Sequence, residues 1–86
     1  MNRYELLPKY DRAKSFYGKA HVEVDGDRKI LVSYETAVCF ADADGLHRLW
    51  GDYSATTMRH VNEFSIQNGF GNVGKAKWDK MKVEVI

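Results

Sequence analysis

The segment Ala-His-Val-Glu-Val-Asp-Gly-Asp-Arg-Lys-Ile-Leu-Val-Ser-Tyr-Glu, residues 20–35, decides the fold because it has the pattern of two strands joined by a turn. Apolar and polar residues alternate through its first half, which is typical of a strand with one buried face. The same alternation begins at residue 14, so the first strand is predicted to span residues 14–25. Asp25-Gly26-Asp27 is a turn sequence, and residues 28–35 are predicted to return as a second strand.

Hydrophobicity also predicts the register of this hairpin. A two-residue turn at Asp25-Gly26 would pair Val22 with Lys29 and would mix apolar and charged side chains on each face. A three-residue loop instead pairs Val22 with Ile30, and this longer loop is the one we expect. In that register the buried face of the second strand carries Ile30, Val32 and Tyr34, and the outer face of the sheet carries Tyr17, Lys19, His21, Leu31 and Ser33.

The rest of the chain continues the strand pattern and then changes to a helical one. Residues 36–41 and 46–50 are predicted to form the next two strands, because turn residues separate two short apolar runs. Ser54 is a candidate N-cap for a helix of about residues 55–68. The last two expected elements are a short helix over residues 75–81 and a candidate edge strand over residues 83–86.

These elements predict one α+β domain that spans residues 1–86. We expect a small two-layer domain, in which an antiparallel β-meander of four to five strands is packed by one main helix, about 55–68, and a short C-terminal helix. One face of such a sheet stays uncovered. A homodimer or larger closed oligomer is therefore expected, because a second copy would cover that face.

Composition and charge narrow the class of protein. Apolar residues make up 44% of the chain, which suits a folded domain, and the formal net charge of +1 does not mark a general nucleic-acid binder. Residues 1–19 nevertheless hold five basic and two acidic side chains. The single cysteine, Cys39, cannot form an internal disulfide, which fits a reducing cytoplasm. No apolar run approaches the length of a membrane span, so no membrane partner is expected.

The start of the main helix is the strongest candidate for a binding site. Ser54, Thr56 and Thr57 supply hydroxyls beside the unpaired backbone N–H groups of the first turn, and Arg59 adds a fixed cation. This combination suits a phosphate or carboxylate. The alternative is purely structural: Ser54 caps the helix, Thr57 supports the cap, and Arg59 pairs with Glu63.

Two further groups combine basic and aromatic residues. Lys14, Tyr17 and Lys19 interleave along the first predicted strand, as they do in proteins that bind nucleotides or single-stranded nucleic acid. They equally fit an exposed strand face. The second group precedes the helix and consists of Arg48, Trp50 and Tyr53, which are candidates either to stack on a base or to pack a strand-to-helix corner.

Signals of catalysis are weak. His21, His47 and His60 are isolated and lack the spacing of metal ligands, so neither a metal nor a cofactor is expected. His60 shares the polar helix face with Thr56 and Arg59 and is the one candidate for acid–base chemistry.

Three segments carry a resemblance to a known family: Ser15–Ala20, Ser33–Val38 and the stretch from Leu49 through Phe64. They resemble a family of short uncharacterised proteins from phages and mobile elements of Gram-positive bacteria. The resemblance runs from about residue 12 to residue 82, and its most specific part is Ser-x-Thr-Thr-x-Arg-His at 54–60. It implies a small accessory protein of a mobile element in the bacterial cytoplasm, a type of protein that often inhibits host defence.

Three functions follow as hypotheses. The leading one is a non-enzymatic counter-defence protein that binds and sequesters an anionic, nucleotide-like ligand. The alternative is a protein-interaction inhibitor of a host defence complex such as a CRISPR nuclease, which would be an anti-CRISPR protein. The third is a small enzyme that uses His60.

Overall fold

Five strands follow one another in chain order and pair with their neighbours in one antiparallel sheet, as the computed structural model of residues 2–85 shows. The two helices come after the sheet. This arrangement confirms the predicted α+β class, the meander, the main helix and the short C-terminal helix. The elements are β1 (Asn2–Glu5), β2 (Ala20–Asp25), β3 (Arg28–Ser33), β4 (Thr36–Asp42), β5 (Gly45–Arg48), α1 (Ala55–Gln67) and α2 (Gly74–Lys80).

The core lies between one face of the sheet and α1. The apolar stripe Met58, Val61 and Phe64 is buried there, and Trp78 of α2 is 0% exposed. Burying each side chain of the stripe stabilises the fold by about 1.5 to 3 kcal/mol. The stripe faces the sheet because residues at spacings of three and four share one side of a helix.

The register of the β2–β3 hairpin differs from the prediction. Asp25 pairs with Arg28, so the turn has two residues, Gly26-Asp27, and Val22 pairs with Leu31 instead of Ile30. Gly26 has φ +63°, which suits a tight hairpin turn. The prediction was wrong because Ile30, Leu31 and Val32 are consecutive apolar residues, so the sequence does not alternate and does not mark the face.

This register changes which side chains face the helix. Leu31 and Ser33 lie on the core side, whereas Ile30 and Val32 lie on the outer face beside Phe40. The three outer apolar side chains are only 5–7% exposed. Neighbours shelter Phe40: the His47 ring stacks on it at a centroid distance of 4.4 Å, and Arg28 Cζ lies 5.3 Å from the centre of the same ring.

The chain before β2 is less regular than expected. β2 begins at Ala20, and residues 16–19 form a turn in which the Lys19 amide donates to the Phe16 carbonyl at 3.0 Å. β1, which the sequence did not predict, pairs with β2, and its four side chains are all exposed. An exposed strand has no apolar alternation, so its sequence carries no strand pattern.

The C-terminal segment forms no full strand among the described residues. Val83 makes a single parallel bridge to Arg48, and Ile86 of the predicted edge strand lies outside the described residues. Between residues 2 and 85, neither helix has the length and apolar character that crossing a bilayer requires.

Candidate functional site

Residues 7–19, which we call the strap, cross α1 and cover the face that the sequence indicated as free. The Gln67 amide donates to the Leu7 carbonyl at 2.9 Å, and the Glu63 carboxylate accepts the backbone amides of Tyr10 and Asp11, each at 2.9 Å. Residues at these spacings share one side of a helix. The polar face of α1 is therefore an attachment surface for the strap.

Glu63 is the central anchor of the strap. Burial by itself would raise the pKa of Glu63, but hydrogen bonds from Gln67 and from backbone amides of the strap outweigh burial and lower it. The ionised carboxylate is thus the form that the fold stabilises. Sequence reasoning assigned Glu63 only to a surface ion pair. The polar helix face was recognised, but no local pattern indicates that residues 10 and 11 of the strap lie against it.

Arg59 pairs with Asp11 of the strap, not with Glu63. Its Nε donates to Asp11 Oδ2 at 3.2 Å, and its Nη2 donates to Asp11 Oδ1. The hydrogen bond from Arg59 lowers the pKa of Asp11 and raises that of Arg59. The Arg59 side chain is 52% exposed, yet two of its donors are engaged, so an anion at this position would compete with Asp11.

The hydroxyls at the start of α1 are mostly engaged in the fold. Ser54 Oγ accepts the Thr57 amide at 3.0 Å, which confirms the predicted N-cap. Thr57 is buried, with its hydroxyl 3.2 Å from Ser33 Oγ. Thr56 is the one of the three predicted hydroxyl residues that is exposed. Of the structural alternative, only the Ser54 cap is confirmed, because the Thr57 hydroxyl lies against Ser33 and Arg59 pairs with Asp11.

His60 is a core residue. It is 2% exposed, its ring lies between Phe16 at 4.6 Å and Tyr34 at 5.8 Å, and its Nδ1 is 2.8 Å from Ser33 Oγ. Burial lowers the pKa of His60, so the ring is neutral at pH 7. A hydroxyl and an imidazole at this distance form the geometry of an activated nucleophile. Ser33 is buried too, however, and a substrate would have to displace the aromatic rings to reach it.

Arg48 braces the corner between β5 and the helices. It donates to the carbonyls of Trp50 at 2.7 Å and Trp78 at 2.8 Å, and its guanidinium lies 4.6 Å from the centre of the Trp78 ring. Trp50 is partly buried against the core, and Tyr53 is exposed with Lys75 Nζ 5.1 Å from its ring. Because Arg48 is buried and its donors are used, the expected stacking group does not form a ligand site as a unit.

The strap exposes the predicted group Lys14, Tyr17 and Lys19. Other exposed basic and aromatic residues of the strap lie next to this group and enlarge the surface. The only acid in the strap is Asp11, whose charge Arg59 balances. Tyr17 is 81% exposed. The exposed basic and aromatic side chains of the strap, which we call the strap surface, are Lys9, Tyr10, Arg12, Lys14, Tyr17 and Lys19.

Two hollows in the structure have volumes of about 140 Å³ each, below the 300–1,000 Å³ or so of typical ligand pockets. Asp11 and Glu63 line one, and Asp27 and Asp42 line the other. Within residues 2–85 no group of three or more metal-ligating side chains could hold an ion.

The sequence matches one family over nearly all of these elements. The match covers residues 4–80, from β1 through α2, and the family is described as a family of unknown function, DUF8033. The chain belongs to this family. No curated protein and no solved structure shows significant similarity to it. Family membership assigns no activity, and the origin in phages or mobile elements stays a prediction.

Proposed function

We propose that the protein is a non-enzymatic binding protein that holds an anionic, nucleotide-like ligand on the strap surface. The observation that carries this proposal is the composition of the strap surface, in which four cations and two tyrosines are exposed. The strap contains no acid whose charge is unbalanced. Phosphates are attracted by the cations, and the tyrosine rings suit the faces of bases.

The open shape supports a ligand that spreads over the surface. The start of α1 supports no separate phosphate grip, because Ser54 and Thr57 are engaged and Arg59 is paired. Two carboxylates border the strap near Lys19: Glu5 accepts the Gly18 amide at 3.3 Å, and Glu35 pairs with Arg3 at 3.3 Å. The amide does not cancel the charge of Glu5, and Arg3 also pairs with Glu23, but the four cations of the strap outnumber the two bordering carboxylates.

Sequestration in counter-defence is the biological role that fits the phage resemblance, and it belongs to this proposal. The rival role, a protein-interaction inhibitor, would also use exposed tyrosines, since tyrosine is enriched at protein interfaces. The two roles predict different binding: an anion-binding protein should bind an oligonucleotide in the absence of any other protein, and that binding should weaken as the salt concentration rises.

The first prediction tests the charge of the strap surface. We expect a fluorescein-labelled oligothymidylate of twelve nucleotides to bind, as measured by fluorescence anisotropy. The logarithm of affinity should fall with that of salt concentration with a slope of about −3 for four phosphate contacts. The triple variant Arg12→Ala, Lys14→Ala, Lys19→Ala should weaken binding by about tenfold or more.

The matched control removes the same charge elsewhere. Lys77, Lys80 and Lys82 are exposed on or after α2, and their triple alanine variant should bind nearly as the unmodified protein does. Equal losses in both variants would mean that only net charge matters. Absence of oligonucleotide binding by the unmodified protein would overturn the proposal.

A further inference from the structure

Two tight turns lie side by side, and each displays a tyrosine. Between β3 and β4, Ser33 pairs with Thr36, and the two central residues are Tyr34, with φ +50°, and Glu35, with φ +67°. In the strap, Tyr17 and Gly18 take φ +54° and φ +72° within the turn that Lys19 closes. The Tyr34 amide donates to the Lys19 carbonyl at 2.9 Å, which joins the two turns.

The residue types in the β3–β4 turn are unusual for its backbone. A hairpin turn with positive φ at both central positions strongly favours Asn-Gly or Asp-Gly, because a larger side chain clashes with the backbone in this region. Tyr34 and Glu35 occupy those positions instead. Residues held in such conformations cluster at functional sites, so the conformation of this turn indicates that the Tyr34 side chain has a function.

The surroundings of Tyr34 hold its ring in place and leave part of it free. The ring lies 5.8 Å from that of His60, which packs edge-on against Phe16 at 4.6 Å. Both supporting rings are buried, whereas Tyr34 is 50% exposed. The neighbouring Tyr17 is exposed further, and Lys19 lies between the two turns. Rigid aromatic rings beside cations are the arrangement that stacks unpaired bases.

We propose that Tyr34 and Tyr17 form a base-stacking platform and that the ligand of the strap surface is single-stranded nucleic acid. This inference rests on the proposed function and adds the class of ligand and the residues that contact its bases. Bases stack on the tyrosines while the phosphates follow Lys14 and Lys19. A duplex would bind more weakly, since paired bases have no free face for the rings.

The turn offers a pair of variants that separate strain from stacking. Glu35→Gly keeps Tyr34, and the double variant Tyr34→Asn, Glu35→Gly replaces the central pair with Asn-Gly. Glu35→Gly relieves the strain at one position and should raise the midpoint of urea unfolding, whereas the double variant relieves both positions but loses the packing of Tyr34 against His60. We expect Glu35→Gly to bind oligothymidylate as the unmodified protein does. The double variant should bind about 5- to 100-fold more weakly, the loss of one stacked base.

Tyr17→Asn gives a second, independent test, because an exposed asparagine tolerates positive φ and should leave the fold intact. It should also weaken oligothymidylate binding by at least about fivefold. Equal affinities of Glu35→Gly and the Asn-Gly variant would overturn the role of Tyr34. Unchanged binding by Tyr17→Asn would remove Tyr17 from the platform.

Inorganic polyphosphate, a polyanion without bases, distinguishes failure of this inference from failure of the proposed function. We expect the unmodified protein to prefer oligothymidylate over polyphosphate of equal charge, and the Asn-Gly variant to lose that preference. Equal binding of both polyanions by the unmodified protein would overturn stacking and leave anion binding in place. Binding of neither would overturn both proposals, and a protein partner would then be the remaining use of the tyrosines.

Discussion

His47 is held between two carboxylates, which makes it the residue through which pH acts most directly on the fold. Its Nδ1 is 2.8 Å from Glu84 and its Nε2 is 2.9 Å from Asp42. The hydrogen bond to Glu84 is the largest cause that raises the pKa of His47, with Asp42 adding to it against the opposing effect of burial. The charged ring therefore ties the C-terminal segment to β5.

The pH dependence of stability follows from that raised pKa. A raised folded-state pKa contributes stability that is complete below the unfolded value of 6.5 and is lost as pH rises through the folded value. We expect the midpoint of urea unfolding to decrease as pH rises from 6.5 through the folded-state pKa of His47. This decrease should disappear in His47→Gln and should be smaller in Glu84→Gln. A His47→Gln variant whose midpoint falls with pH as steeply as that of the unmodified protein would contradict this assignment.

Single residues were predictable from the sequence where their partners are close along the chain. Ser54 was recognised as a cap because its acceptor role involves Thr57, three positions away. The partner of Arg59 was not recognised, because Asp11 is 48 positions away and a nearer acid, Glu63, offered a local explanation. Distant pairing depends on the path of the strap, which no local pattern encodes.

Among the elements, the strap depends on Glu63 for its middle attachment. Glu63→Gln has nearly the same shape but loses the charge, and its amide nitrogen cannot accept a hydrogen bond from Gln67. Because hydrogen bonds to a charged group contribute about 1.5 to 3 kcal/mol, we expect a loss of about 1 to 2 kcal/mol in the free energy of unfolding.

Hydrogen exchange localises that effect. The amides of Tyr10 and Asp11 should exchange faster in Glu63→Gln, while the Thr57 amide, capped by Ser54, should not. Gln67→Ala removes only the outer attachment at Leu7 and one bond to Glu63, and serves as the milder control. Unchanged exchange at Tyr10 would mean that the strap is held by its apolar contacts.

The strength of an element's pattern decided how well the sequence predicted it. The stripe on α1 has strict helical spacing, and both its extent and its buried side were right. β1 has four exposed residues and was missed, and β3 has three consecutive apolar residues and was assigned the wrong register. The strap has no regular structure at all, so its position over α1 could be found only from the structure.

At the scale of the whole molecule, the uncovered face of the sheet bears on assembly. Ile30, Val32 and Phe40 form its centre, and Arg28 and His47 shelter Phe40 within one chain. A homodimer or larger closed oligomer stays our prediction, with two copies meeting through this face. Light scattering at micromolar concentration checks it: a mass near 9.9 kDa would show that these neighbours suffice, as one solvated face of an antiparallel sheet allows.

The attachment of the strap to α1 also has a consequence for synthesis on the ribosome. Each strand from β2 to β5 pairs with the element made just before it, so those hairpins require only recent neighbours. The strap instead requires His60, Glu63 and Gln67, which emerge some fifty residues later. Until then Phe16 lacks its aromatic partner and the Tyr10 amide lacks its acceptor. The nascent protein thus exposes this basic segment without its attachments until α1 has been made.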